Sequence, residues 1–179
     1  RWGCGVEVAK LLDGSARRTR ANRFALAAPE EALSDAGLAR GEREDMALVV
    51  GAVGGGMLEA EEWYWATSRK RPARLVPAVR SVLPCAHADV LASRLRVYGP
   101  RHTVITACSS GAVAMAEAAA LIAHGVVHVA LAGGVDALTR ICFMGFNALK
   151  LLDRAPCRPF DRDRRGMSIG EGAGFVVLE

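Results

Sequence analysis

No C-x-x-C pair occurs in this chain. Its five cysteines, at 4, 85, 108, 142 and 157, are odd in number and widely spaced. That pattern excludes a disulfide scaffold and a zinc ribbon, and free thiols suit a reducing cytosol. No apolar h-region follows Arg1, so the opening residues are not a secretory signal. No apolar stretch is long enough to span a bilayer; the run 111–123 is broken by Glu117. The 19 glycines follow no G-X-Y period, which excludes collagen. Internal repeats and low-complexity tracts are absent. Charge of one sign is also scarce: the formal net charge is +4, a surplus that favours acidic partners without demanding nucleic acid. The basic cluster RKRPAR (69–74) lacks the interleaved aromatics and motif frame of a nucleic-acid site. Histidine is limited to four residues, and His87, two residues from Cys85, has poor metal spacing. All four read as structural or surface residues, and no metal site is expected.

What is present is a core. Of 179 residues, 51% are apolar, enough for one domain or a piece of a larger one and too many for disorder. The chain opens on Arg1 and closes on an apolar strand, GAGFVVLE, with no stop after it, so both ends read as cut. Apolar spacing predicts a helix over 22–38, with Pro29 expected to kink or restart it. MALVVG (46–51) reads as a buried strand, followed by the loop GAVGGG and an aromatic-bearing helix over 57–70. A helix over about 85–96, a strand over 102–107, a helix over 109–124 and a strand over 126–134 follow. A short helix over 143–152 and a strand over the last eight residues complete the series. Strands alternating with helices predict an α/β fold with a mostly parallel sheet. The helix 109–124 is Ala-rich and apolar on nearly every face, which predicts burial all round.

Cys108 lies where a strand turns into that helix. Unpaired N–H groups and the positive end of the helix dipole gather there, which lowers a thiol's pKa and favours the reactive thiolate. Ser109, Ser110 and Gly111 keep the surroundings small. The pattern suits a nucleophile for acyl transfer, with backbone N–H groups available to an oxyanion. A buried, inert cysteine fits the same pattern.

The segments TACSSG (106–111), LAGGVDAL (131–138), GFNALKLLD (145–153), CRPFDRDRRGM (157–167) and GEGAGFVVLE (170–179) occur in this order, with GAVGGGMLEAEE upstream. From about residue 12 onward the chain resembles the β-ketoacyl-acyl carrier protein synthases, elongating condensing enzymes of the thiolase superfamily. Members are roughly twice this length. The resemblance implies that residues 1–179 are the N-terminal half of such an enzyme, without its first strand and its C-terminal half. It implies the N-terminal half of a thiolase-like α/β/α/β/α sandwich with 109–124 in its central layer. A lost central strand would leave open hydrogen-bonding edges, so the isolated chain is expected to be unstable or to aggregate.

The resemblance also assigns roles. Cys108 takes the place of the nucleophile that holds the growing chain. Phe146 matches an acyl-pocket residue, and Gly54 falls where a larger apolar side chain often narrows that pocket. Arg17, Arg18 and Arg20, with Arg23, fall where basic residues meet acyl carrier protein; an ordinary solvated basic face reads the same way. The two histidines and the lysine used for decarboxylation lie in the C-terminal half, so this segment alone is expected to be inactive. No cofactor is implied, since phosphopantetheine arrives on the carrier. A cytoplasmic homodimer, or a heterodimer with a chain-length partner, is implied, with no membrane or nucleic-acid partner. The implied activity is that of a 3-oxoacyl-carrier protein synthase of fatty-acid or polyketide biosynthesis. A modular polyketide ketosynthase and a non-catalytic chain-length partner subunit are the alternatives.

Overall fold

The five residues Ala47–Gly51 (β1) are all buried, and this strand holds the centre of the sheet. The computed structural model describes residues 19–71 and 82–179. β1 pairs in parallel with Arg101–Val104 (β2) on one side and with Ala130–Asp136 (β3) on the other. Gly172–Leu178 (β4) pairs antiparallel with β3, giving the order β2-β1-β3-β4. The four strands form one unbroken ladder. β1, apolar on both faces, lies inside the sheet, and among the described residues its open edges are β2 and β4.

Side-chain alternation along β1 and β3 sorts the core into two layers. Leu48, Val50, Leu131 and Val135 face the helices Arg20–Asp35 (α1) and Ala86–Leu95 (α3), packing with Phe24, Leu33, Leu91 and Leu95. Ala47, Val49, Ala130 and Ala132 face the helix Ser110–Ala123 (α4) and meet Ala114 and Ala118. The helices Met57–Ser68 (α2) and Arg140–Ala148 (α5) contribute no buried residue.

α1 starts at Thr19, whose Oγ1 accepts the Asn22 N–H at 3.1 Å. It ends where Gly37, at φ +69°, lets the Leu38 N–H reach back to the Leu33 carbonyl at 3.1 Å. The helix does not restart at Pro29. α1 runs through it, and Pro29 is buried in line with Ala21, Ala25 and Leu33, so packing outweighs the lost hydrogen bond. β3 begins four residues later than its apolar run, and α5 begins at Arg140 rather than 143.

α4 also departs from expectation. Only Ser110, Ala114 and Ala118 are buried; Val113 and Met115 face outward. One sheet covers one face of a helix, and among the described residues no second layer lies over the other.

Candidate active site

The parallel strands β1, β2 and β3 end on the same side of the sheet, and the segments that carry the candidate residues leave from those ends. Ligands of open α/β sheets bind outside the carboxyl ends of the strands. After β2 the chain passes Ile105 and Thr106 and enters a single 3-10 turn, Ala107–Ser109, that runs directly into α4. Cys108 is the middle residue of that turn, and it is exposed.

The turn is tightly held. Ala107 has φ +53°, a left-handed conformation that costs an L-residue about 1–2 kcal/mol. Neighbouring hydroxyls offset that cost. The Thr106 N–H donates to Ser110 Oγ at 2.9 Å, and Ser110 Oγ donates to the Ala107 carbonyl at 2.7 Å. Ser109 Oγ donates to the Thr106 carbonyl at 2.8 Å. The end of β1 seats the start of α4. A Cβ at Gly51 would stand 2.5 Å from the Ser110 carbonyl carbon, so only glycine permits this approach. The Cys108 side chain makes no hydrogen bond to any described residue, the four histidines included. His102 pairs with Glu117, His124 Nδ1 lies on the Ala120 carbonyl, His128 is exposed, and His87 is buried.

A second group of contacts joins the loops around the turn. Asp136, at the end of β3, accepts the N–H groups of Val53, Gly54 and Gly55 on one oxygen, at 3.1, 2.5 and 3.3 Å. Glu61 of α2 accepts the Arg140 and Ile141 N–H groups and so caps α5 from outside. Glu59 of the same helix accepts the Arg20 N–H at 2.7 Å and caps α1. Burial pushes the Glu59 carboxyl above its ordinary value. These carboxylates were not singled out in the sequence. The glutamates of GGGMLEAEE sit one helical turn past a glycine run, a weak signal, and their partners are 39 to 80 residues away.

The other predicted residues fall in different places. Gly54 lines a small cavity with Ile105, three residues before Cys108. A Cβ there would lie 3.3 Å from Asp136 Oδ1 and 3.5 Å from Thr139 Cγ2, so the position offers less room than an open pocket wall. Phe146 is half-buried in α5 and is not among the residues lining that cavity. Arg17 and Arg18 lie outside the described residues. The Arg20 guanidinium is occupied within the chain. It donates from Nε to Glu171 Oε2 at 2.6 Å and from Nη2 to Glu171 Oε1, and it stacks 5.6 Å from the Phe24 ring centre. Its charge is paired within the chain. The Arg20 hydrogen bond holds the Glu171 carboxyl below its ordinary value, and Glu171 also accepts the Leu138 N–H at 3.1 Å. Among the described residues no cluster of three His, Cys, Asp or Glu side chains could hold a metal ion, and no helix is long and apolar enough to cross a membrane.

Residues 10–179 match the family described as Beta-ketoacyl synthase, N-terminal domain. The chain is 37% identical over 168 residues to 3-oxoacyl-[acyl-carrier-protein] synthase 2 of Rhizobium meliloti, covering 87% of this chain and 40% of that protein. It is 31% identical to the protein of the same description from Synechocystis, covering 91% of this chain and 42% of that one. Among solved structures, the ishigamide ketosynthase/chain length factor superposes with a TM-score of 0.76 at 31% identity, over 91% of this chain and 42% of that one. A ketosynthase in complex with its chain length factor from Xenorhabdus doucetiae superposes with a TM-score of 0.78 at 29% identity, over 90% and 41%. The chain thus spans about two fifths of the length of these relatives.

Proposed function

Because the chain belongs to the β-ketoacyl synthase family of condensing enzymes, we propose that it is the N-terminal half of a 3-oxoacyl-carrier protein synthase in which Cys108 holds the growing acyl chain. The observation that carries this reading is the exposed Cys108 on a turn clamped by Ser109 and Ser110 and seated on Gly51. The Cys108 thiolate attacks the thioester carbonyl of a carrier-bound acyl chain. Backbone N–H groups of the turn are the proposed donors to the oxyanion; the bond from the carbonyl carbon to the carrier sulfur then breaks, and the carrier leaves as a thiolate that takes a proton from solvent. The second half-reaction begins on a malonyl-carrier thioester. The bond to its carboxylate breaks, carbon dioxide departs, and the electron pair stays on the α-carbon. That carbon attacks the Cys108 thioester, the carbon–sulfur bond breaks, and a chain two carbons longer leaves as a 3-oxoacyl product. None of the described histidines hydrogen-bonds Cys108, and the groups that assist decarboxylation are proposed to come from the remainder of a longer polypeptide.

The partner is an acyl carrier protein, whose phosphopantetheine arm brings the substrate; no further cofactor is required by this chemistry. The proposed carrier surface is Arg17, Arg18 and Arg20, the last of them also paired with Glu171. Phe146 and Gly54 are the proposed contacts of the acyl chain. Two of the superposed structures are ketosynthases with a chain length factor, which supports a heterodimer for this chain; a homodimer is the alternative. Cys108 favours the catalytic member of such a pair over the silent one.

The test is incubation of the full-length polypeptide with acyl-carrier protein, followed by intact mass measurement and peptide mapping. Cys108 is expected to gain the acyl mass, and Cys108→Ala to lose it entirely. Adding malonyl-carrier protein is expected to release a 3-oxoacyl product from the full-length protein and none from the 179-residue chain. A full-length protein whose Cys108 reacts with iodoacetamide but never takes an acyl group would refute the reading.

A further inference from the structure

The cavity beside Gly54 is about 50 Å³ in volume, and its walls include Gly55, Val82, Leu83, His87 and Ile105. A volume of about 10–15 Å³ already admits one water-sized group. His87 is the one lining side chain with a nitrogen or oxygen atom. It is 1% exposed, and burial pushes its pKa down, so the imidazole is neutral at physiological pH. Its Nδ1 lies 2.6 Å from Asn22 Oδ1. A carboxamide oxygen only accepts, so Nδ1 carries the proton and Nε2 is left as an acceptor. Nε2 is buried and has no hydrogen-bond partner among the described residues. It lies against Gly55, where any Cβ would overlap it. Glycine at position 55 therefore leaves the room in which that nitrogen sits, and no other side chain of the wall carries a nitrogen or oxygen.

Ile105, 51% exposed, belongs to the same wall and stands three residues before Cys108, so their backbones are no more than about 11 Å apart. From this juxtaposition we infer that the cavity receives the far end of the chain held on Cys108, and that His87 Nε2 selects chains ending in a hydrogen-bond donor, such as a hydroxyl. The inference rests on the reading of Cys108 as the acyl carrier. A purely apolar pocket discriminates weakly against an added hydroxyl, whereas a buried acceptor is left unpaired by a chain that ends in methyl. Selection therefore lies with Nε2, the unpaired acceptor of the wall, and not with its apolar side chains.

The experiment uses the full-length polypeptide and pairs of acyl-carrier substrates of equal length, one ending in methyl and one in hydroxyl. Loading of Cys108 is followed by intact mass. At the chain length that reaches the cavity, the hydroxyl-ended substrate is expected to load about five- to tenfold faster. His87→Leu is expected to bring that ratio to about one, and His87→Gln, which keeps an acceptor, to preserve most of it. His87→Leu also removes the partner of Asn22, so a second reading uses the unmodified protein. The ¹⁵N resonance of His87 Nε2 should move on loading with the hydroxyl-ended chain and stay in place with the methyl-ended one. Equal loading of the two substrates at every length, or a preference that survives His87→Leu, overturns selection by His87. If Cys108 takes neither substrate, the assignment of Cys108 fails first and this inference falls with it.

Discussion

Asp136, Glu59, Glu61 and Glu171 each join a loop or helix start to a distant element, and two of them have pKa values moved in opposite directions. Glu171 is held below the ordinary carboxylate value of 4.5 by Arg20. Its stabilising contribution is fully present above the unfolded-state value and is lost as pH falls through the folded-state value. Glu59 is raised above 4.5 by burial, so its ionisation works against folding, and the protein loses stability as pH climbs from the ordinary value through the folded one. Glu59→Gln keeps an oxygen for the Arg20 N–H and removes the buried charge. It is expected to raise stability at neutral pH and to flatten the pH dependence on the acid side. Glu171→Gln is expected to lower stability at neutral pH by about 1.5–3 kcal/mol. Urea unfolding of both variants across about pH 3 to 8 checks the two signs, where the slope reports protons bound. The same rise in stability for both substitutions would contradict the opposed environments of the two carboxylates.

At the scale of elements, the turn that presents Cys108 depends on how closely α4 approaches β1. Alanine faces alanine across this contact, with Ala114 and Ala118 on the helix and Ala47, Ala130 and Ala132 on the strands. Gly51 removes the last side chain between the strand end and Ser110. Gly51→Ala is expected to destabilise the protein by about 1–3 kcal/mol through overpacking. It should also displace the Ala107–Ser109 turn, so that iodoacetamide labelling of Cys108 changes in rate while labelling of the exposed Cys157 does not. Unchanged melting temperature and unchanged Cys108 labelling would show that the contact does not hold the turn. The elements themselves were largely readable. Residues 46–51, 57–70, 85–96 and 109–124 each appear within a few residues of the predicted bounds, because apolar runs and, for the last of them, the closing Gly125 mark them locally. The passage of α1 through Pro29 was not readable, since it is decided by the burial of that ring against other elements.

At the scale of the whole molecule, the described surface carries many large apolar side chains. Val113 and Met115 project from α4; Ile141, Phe143 and Met144 project from α5, and Leu149, Leu151 and Phe160 follow it. Clusters of this kind mark surfaces that another layer covers. The relatives are longer, and this chain spans about two fifths of them. On the proposal that a second half lies over α4, the 179-residue chain is expected to bind a hydrophobic dye strongly and to exchange the amide hydrogens of α4 quickly. The full-length polypeptide should do neither. Equal dye binding and equal exchange in the two would place the covering layer elsewhere.

Local chemistry, read from the sequence alone, decided the helix and strand order, the mostly parallel sheet and the cysteine at a strand-to-helix turn, because caps, glycines and apolar periods act over a few neighbouring residues. Only the tertiary structure decided that Arg20 spends its charge on Glu171, that His87 keeps an unpaired nitrogen beside Gly55, and that α4 is covered on one face. The first two outcomes join residues separated by 151 and 32 positions, and all three depend on the folded path of the chain rather than on any local preference.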